Sequence, residues 1–372
     1  MRILALRLGL VAAVVGAIAA CTVMNDLHLP PPKATDDASA PADASADAGE
    51  PCAIARVPAP PAPPVDGEDP ASEILVAMRR MLLRETPALG YDLDGVCTCS
   101  PGPESCAVRD EAVHCDLDGG RDNAFATLSK RFTTFTGFDV IGYANVRLEE
   151  GVQGYLVRVQ GYNGGADDSD VTVSVYLSAG TVTTLDDGGT AVRPPSFAEG
   201  EAWSIDPDYL VGDPAARTSK YTAQGYVSGN VLVAGFAELP LPLVEGVNTM
   251  VRSAVVTGRI SKGDGGAPTI AEGILAGRIG ADAMLAGLAQ VFDPSSKRPF
   301  CDNPSFGPYA RGVICPAADV TVESSSDGTN APCDAISAGI AYEAVGASFG
   351  SLVRQSPNID VCAGKPAVVC GP

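Results

Sequence analysis

From residue 137 onward apolar side chains alternate with polar ones, and that two-residue period confines most of the chain to β-sheet. Val171, Val173, Val175 and Leu177 point one way while Thr172, Ser174 and Tyr176 point the other, as in a strand with one buried face. Residues 153–162 repeat the pattern, and 221–227, 231–237, 252–260 and 273–279 are further strand segments. Residues 334–352 alternate at Ile336, Ala338, Ile340, Tyr342 and Ala344 and carry Glu343 in their middle, which predicts a long strand rather than a membrane helix. Between the strands stand NGGADDSD, DDGG, KGDGG and SSSDGTN, rich in the Gly, Asn and Asp that tight reversals use. The expected fold is mainly β, a jelly-roll-like β-sandwich with a few peripheral helices and disulfide staples. Three helices are expected. Residues 72–85 (SEILVAMRRMLLRE) repeat Ile74, Leu75, Met78, Met81 and Leu82 at helical steps, with Ser72 as cap and Pro87 as stop. A second helix starts near Asp122 and runs through Phe125, Leu128 and Phe132, and a third spans 281–292 with Met284, Leu285, Leu288 and Val291 as its stripe.

The N-terminus is of another kind. Arg2 and Arg7 precede an apolar run from Leu8 to Ala20, and small residues lead into Cys21. A basic start, a short apolar core and a small-residue cut site are the parts of an export signal. The run is shorter than the ~20 residues a membrane-spanning helix needs. Ile18-Ala19-Ala20-Cys21 resembles the lipobox of bacterial lipoproteins, a likeness confined to the first 21 residues. The resemblance implies cleavage before Cys21, acyl chains on its sulfur and amino group, and attachment to a lipid bilayer. Thr22 in place of Asp after the cysteine implies the outer membrane of the cell envelope. On this reading residues 1–20 are a signal peptide and residues 21–70, mostly Pro, Ala, Asp and Ser, form a disordered tether. Residues 71–372 form a single domain.

The chain has 11 cysteines, an odd number for an exported protein. With Cys21 given to the lipid, ten are left for disulfides. Cys52, Cys97, Cys99, Cys106 and Cys115 form an early block, and Cys301, Cys315, Cys333, Cys362 and Cys370 a late one. Each block is odd, so complete pairing requires at least one bridge between them. Such a bridge closes roughly 190 residues or more and is worth roughly 5 kcal/mol in the chain-entropy picture. Zinc fits the cysteines less well. Cys97-Thr98-Cys99 with Cys106, His114 and Cys115 has none of the Cys-x₂₋₄-Cys pairs of structural zinc sites, and exported cysteines oxidise.

A formal net charge of −20 disfavours nucleic acid as a partner, and a single tryptophan, Trp203, with 6% aromatic content speaks against a stacked sugar cleft. The motif that can carry chemistry is a doubled phrase. Asp92-Leu93-Asp94-Gly95 recurs as Asp116-Leu117-Asp118-Gly119, followed by Gly120-Arg121-Asp122-Asn123. Alternate acids in a glycine-containing turn aim several oxygens at one point, the donor set Ca²⁺ takes. Asp92, Asp94, Asp116, Asp118, Asp122 and Asn123 are therefore the candidate ligands. The spacing is not that of an EF-hand, because Gly119 is fourth from Asp116 and Thr127 stands twelfth. The competing reading is plain turn chemistry, with Asp122 opening the next helix.

No catalytic relay can be assembled from the sequence. The only histidines are His28, in the tether, and His114 beside Cys115. The one Gly-x-Ser-x-Gly string, Gly346-Ala347-Ser348-Phe349-Gly350, falls within the strand expected over residues 334–352 rather than at a strand-to-helix turn, and no phosphate-binding glycine loop occurs. The acidic groups Asp167/Asp168/Asp170, Asp186/Asp187 and Asp206/Asp208 sit among turn residues. The expectation is a cell-envelope surface lipoprotein acting as a binding or structural module rather than an enzyme, its partner an envelope protein or a glycan. The alternatives are a carboxylate-based hydrolase of glycosidase type and a calcium-stabilised, lectin-like carbohydrate binder.

Overall fold

Strand β1 (Glu73–Leu82) pairs antiparallel with β2 (Gly154–Gln160) along one edge and with β11 (Ala335–Leu352) along the other. That double pairing closes the sheet. In the computed structural model the ring continues from β2 through β3 (Asp168–Ser178), β7 (Tyr221–Ser228), β8 (Val231–Val244), β9 (Val247–Lys262) and β10 (Pro268–Gly280) to β11, every neighbour antiparallel. The result is an eight-stranded antiparallel barrel. The structure describes residues 55–62, 73–98, 104–109, 115–184, 189–244, 247–263, 265–293, 296–354 and 360–371. All lie in the compact unit Pro51–Pro372; Met1–Glu50 is a separate unit. The signal, the lipobox with Cys21, most of the tether, Cys52, Cys99 and His114 fall outside the described residues.

Two expectations change here, for one reason. The sandwich is a barrel, and the helix expected over residues 72–85 is β1. An alternating strand records only that one of its faces is buried; it does not say whether the sheet stacks on another or closes on itself. β1 is buried on both faces. Ile74, Val76 and Met78 join the main core with Val157, Val159, Val173 and Ile340. Leu75 and Ala77 face a second cluster with Leu156, Tyr176, Trp203, Ile205 and Leu210. A strand covered on both sides reads as an unbroken apolar run, and three- and four-residue steps are unavoidable in such a run.

The second cluster exists because the connection from β3 to β7 folds back over the barrel wall. It carries a small hairpin, β4 (Val182–Thr184) with β5 (Thr190–Val192). It then carries β6 (Glu201–Ile205), which runs parallel to the end of β11 and pairs Trp203 with Phe349. Trp203 is fully buried. Its ring lies so close to Gly154 that a Cβ there would sit 2.8 Å from it.

Helices α1 (Ala124–Thr136), α2 (Val140–Glu149), α3 (Ala281–Ala289) and α4 (Phe306–Ile314) gather at one end of the barrel. α1 and α3 match the expected segments; α2 and α4 were not anticipated. α1 is capped by Asn123, whose Oδ1 accepts from Ala126 N–H, and is ended by Gly137 in the left-handed conformation. Phe125, Phe132, Met284 and Ile314 meet Leu243 and Ile279 of the strand ends in an apolar chamber. On α2, Asn145 accepts from Met81 N–H at 2.8 Å and donates to Met81 O at 2.9 Å, satisfying the backbone beside the irregular step between Met78 and Arg80.

Among the described residues, disulfides join Cys106 to Cys333, Cys301 to Cys362 and Cys315 to Cys370. Cys97 and Cys115 are disulfide-bonded as well. Cys106–Cys333 joins the early block to the late one across 227 residues. The tether's far end is also tied down, since Ala55 O accepts from Asp92 N–H at 2.9 Å and Pro58 O from the Tyr226 hydroxyl at 2.6 Å. The folded part therefore begins earlier than residue 71.

Candidate metal centre

The two copies of the Asp-Leu-Asp-Gly phrase fold differently. In the first, Asp92 Oδ1 accepts from Gly95 N–H at 2.6 Å and Asp94 Oδ1 from Val96 N–H at 2.7 Å, the local bonds expected of turn acids. Each carboxylate thus spends one oxygen on its own turn. The other oxygens, Asp92 Oδ2 and Asp94 Oδ2, are buried and make no hydrogen bond. In the second copy Leu117 and Arg121 exchange backbone hydrogen bonds across Gly119 and Gly120. Asp118 is exposed at the tip, and its carbonyl accepts from Arg121 at 2.8 Å. Asp116 accepts from Thr98 through both N–H and hydroxyl.

Asp122 connects the two copies. It is 3% exposed, and its Oδ2 accepts from Leu93 N–H at 2.6 Å, between Asp92 and Asp94. Ligand oxygens of Asp92, Asp94 and Asp122 lie within 4.8 Å of one another. Among the described residues no ion pair reaches any of the three. Arg278 comes near only to donate to Leu93 O at 2.6 Å, and its charge is spent on Asp327.

Crowding like charges away from water favours the protonated forms. Burial raises Asp94 to about 6, opposed by the nearby Ser105 hydroxyl and the Val96 N–H hydrogen bond and reinforced by the charges of Asp92 and Asp116. Burial and then the charges of Asp94 and Asp319 raise Asp122 to about 9. Asp319, partly buried, is pushed up to about 7 by desolvation although Ser337 donates to it through both N–H and hydroxyl. A cleft lined by Thr98, Asp116, Asp122, Thr127, Arg131 and Asp319 leads to this group from outside.

Of the six residues picked from sequence, Asp92, Asp94 and Asp122 converge, and Asp116 lies near enough to raise Asp94 and Asp122 electrostatically. Asp118 stands apart. Asn123 is committed elsewhere. Its Nδ2 donates to Leu89 O and Gly339 O, and its Oδ1 accepts from Ala126 and Gly339 N–H. That amide fastens the approach to the site onto β11, where Gly339 has no room for a side chain because Gly90 backbone would lie 2.6 Å from its Cβ. Two participants escaped sequence reading. Asp319 did leave a signal, an acid inside the apolar stretch Ala317-Ala318-Asp319-Val320. Ser105, beside the Asp94 carboxyl, left none.

The loop acids behave as turn acids. Asp168 accepts from Asn163 N–H and Asp170 N–H, and Asp206 from Asp208 N–H; Asp186 and Asp187 lie outside the described residues. Comparison with protein-family models, with curated proteins and with solved structures found no match. Any reading of the site rests on its own chemistry. An all-oxygen set of three carboxylates, with no sulfur and no imidazole, suits a hard divalent ion such as Ca²⁺.

Proposed function

We propose that this chain is an exported lipoprotein of the cell envelope, most consistent with the outer membrane. Acyl chains on Cys21 hold it, and its barrel is a binding or structural module organised around a Ca²⁺ site at Asp92, Asp94 and Asp122. The observation that carries the cation reading is the pair of buried, unbonded oxygens on Asp92 and Asp94, converging with Asp122. A buried carboxylate oxygen without a donor costs about 1–3 kcal/mol or more, and a divalent ion offsets that cost for several oxygens at once. The disulfides are those of an oxidising compartment, in keeping with export. No helix among the described residues is long and apolar enough to cross a membrane, a statement that concerns helices only.

A carboxylate-based hydrolase is the second reading, favoured by the raised pKa values of Asp94 and Asp122 beside a cleft.

Two measurements test the proposal. Labelled fatty acid enters the wild-type chain and is absent from Cys21→Ser, and equal labelling of the two removes the lipid anchor. Millimolar calcium raises the Tm of the purified full chain by several degrees, whereas Asp122→Asn responds less. An unmoved Tm in the wild type removes the ion.

A further inference from the structure

Ser105 is 1% exposed, its hydroxyl completes no hydrogen bond, and it lies beside the Asp94 carboxyl. An unsatisfied buried hydroxyl thus stands beside the Asp94 carboxyl, whose free oxygen and that of Asp92 are themselves unsatisfied, in the group where Asp92, Asp94 and Asp122 converge. Two carboxylates and a hydroxyl are all lone-pair donors toward a metal, and hard divalent ions accept neutral oxygen ligands beside carboxylates.

The segment bearing Ser105 owes its place to the far end of the chain. Ser105 O accepts from Gly328 N–H at 2.8 Å, Ala107 N–H donates to Ala331 O at 2.7 Å, and Ala107 O accepts from Cys333 N–H at 2.9 Å. The next residue, Cys106, is bonded covalently to Cys333, and its sulfur lies 3.3 Å from Asp319 O. The loop it joins is itself held to the first acidic turn, because Arg278 grips Asp327 and Leu93 O together. The bridge therefore sets the distance between Ser105 and the acids.

We propose that the Ser105 hydroxyl is the neutral ligand of the cation held by Asp92, Asp94 and Asp122, and that the Cys106–Cys333 bridge positions it, so that the site is complete only in the oxidised chain. This inference rests on the cation reading above. Because binding couplings are reciprocal, the ion in turn makes that bridge harder to reduce. The ion is thereby confined to protein that has already been exported and oxidised.

The test is calorimetric titration with calcium alone on the full chain, comparing the wild type, Ser105→Ala, the Cys106→Ser/Cys333→Ser double variant and the Cys301→Ser/Cys362→Ser double variant. The last removes a bridge that anchors the C-terminal segment near the end of α3. The expected result is a loss of at least about tenfold in affinity for the first two variants, the scale of a lost positioning contact at a metal, and under about twofold for the third. If the Cys106/Cys333 variant shows no cooperative melt, Ser105→Ala decides alone, since it keeps the bridge. Wild-type affinity in Ser105→Ala overturns the assignment while leaving the cation site standing. Equal weakening by the two bridge deletions overturns the positioning role. A wild-type chain that takes up no calcium removes the site itself.

Discussion

In the presence of a chelator, the Tm of the full chain falls as pH is raised from about 5 to about 9, and millimolar calcium abolishes the fall. The sign follows from three desolvated acids, one buried and two partly buried. Asp94, Asp319 and Asp122 are raised from 3.8 to about 6, about 7 and about 9 in the folded chain, so between those values the native state holds protons that the unfolded chain has released. Stability then decreases with pH. It is complete below 3.8 and is lost as pH climbs through each folded value, opposite to the behaviour of salt-bridged carboxylates. At about 1.4 kcal/mol per pH unit, the interval at Asp94 alone is worth about 3 kcal/mol, and a domain of this size loses about 2–4 °C per kcal/mol. Calcium reverses the trend because its ligands must be deprotonated, and its affinity therefore rises with pH. Asp122→Asn flattens the upper part of the slope. A Tm that rises with pH in chelator shows that these acids are charged in the native protein and refutes the electrostatic account.

Replacing Arg278 by Met lowers stability by about 3–5 kcal/mol, the usual cost of leaving one half of a buried ion pair alone. Arg278 is 1% exposed on β10. Its Nη1 donates to Thr321 O and Asp327 Oδ1, each at 2.7 Å, and its Nη2 donates to Leu93 O and Asp327 Oδ2. Without it, a carboxylate and two carbonyls are left short of donors in a dry place. Urea unfolding of Arg278→Met, and of Arg278→Met combined with Asp327→Leu, measures the effect. The double variant recovers part of the loss, since two apolar groups need no partners. A single-variant loss below about 1 kcal/mol would mean that water reaches this pair. Because Leu93 lies between two of the acids, Arg278→Met also weakens the calcium response.

What sequence could show follows the range over which each signal acts. β3 was legible because each buried valine has a polar neighbour one residue away. β1 was not, since the residues that bury its second face, Trp203 and Ile205, lie more than a hundred positions later, and losing β1 from the sheet also hid the closure. α4 was masked by Gly307 and Pro308, residues that usually break helices but are tolerated in a first turn. α2 was hidden by Gly142, although Asp139 caps it in the ordinary way. The acids of the candidate site could be picked out because turn acids cluster locally. Asp319 and Ser105 could not be joined to them, because nothing within a few residues of either brings them to Asp94. That is done by a covalent link and a strand from the other end of the chain.

The partner that completes the ring beside residues 73–82 is the segment 335–352, roughly 250 residues farther along the chain. Contacts so distant along a polypeptide form slowly, and here the earlier strand is left without one neighbour until the later one has been made. Its greasy, half-matched rim is an adhesive edge during that interval. A cell that makes this protein has reason to shield the growing chain until that later strand arrives.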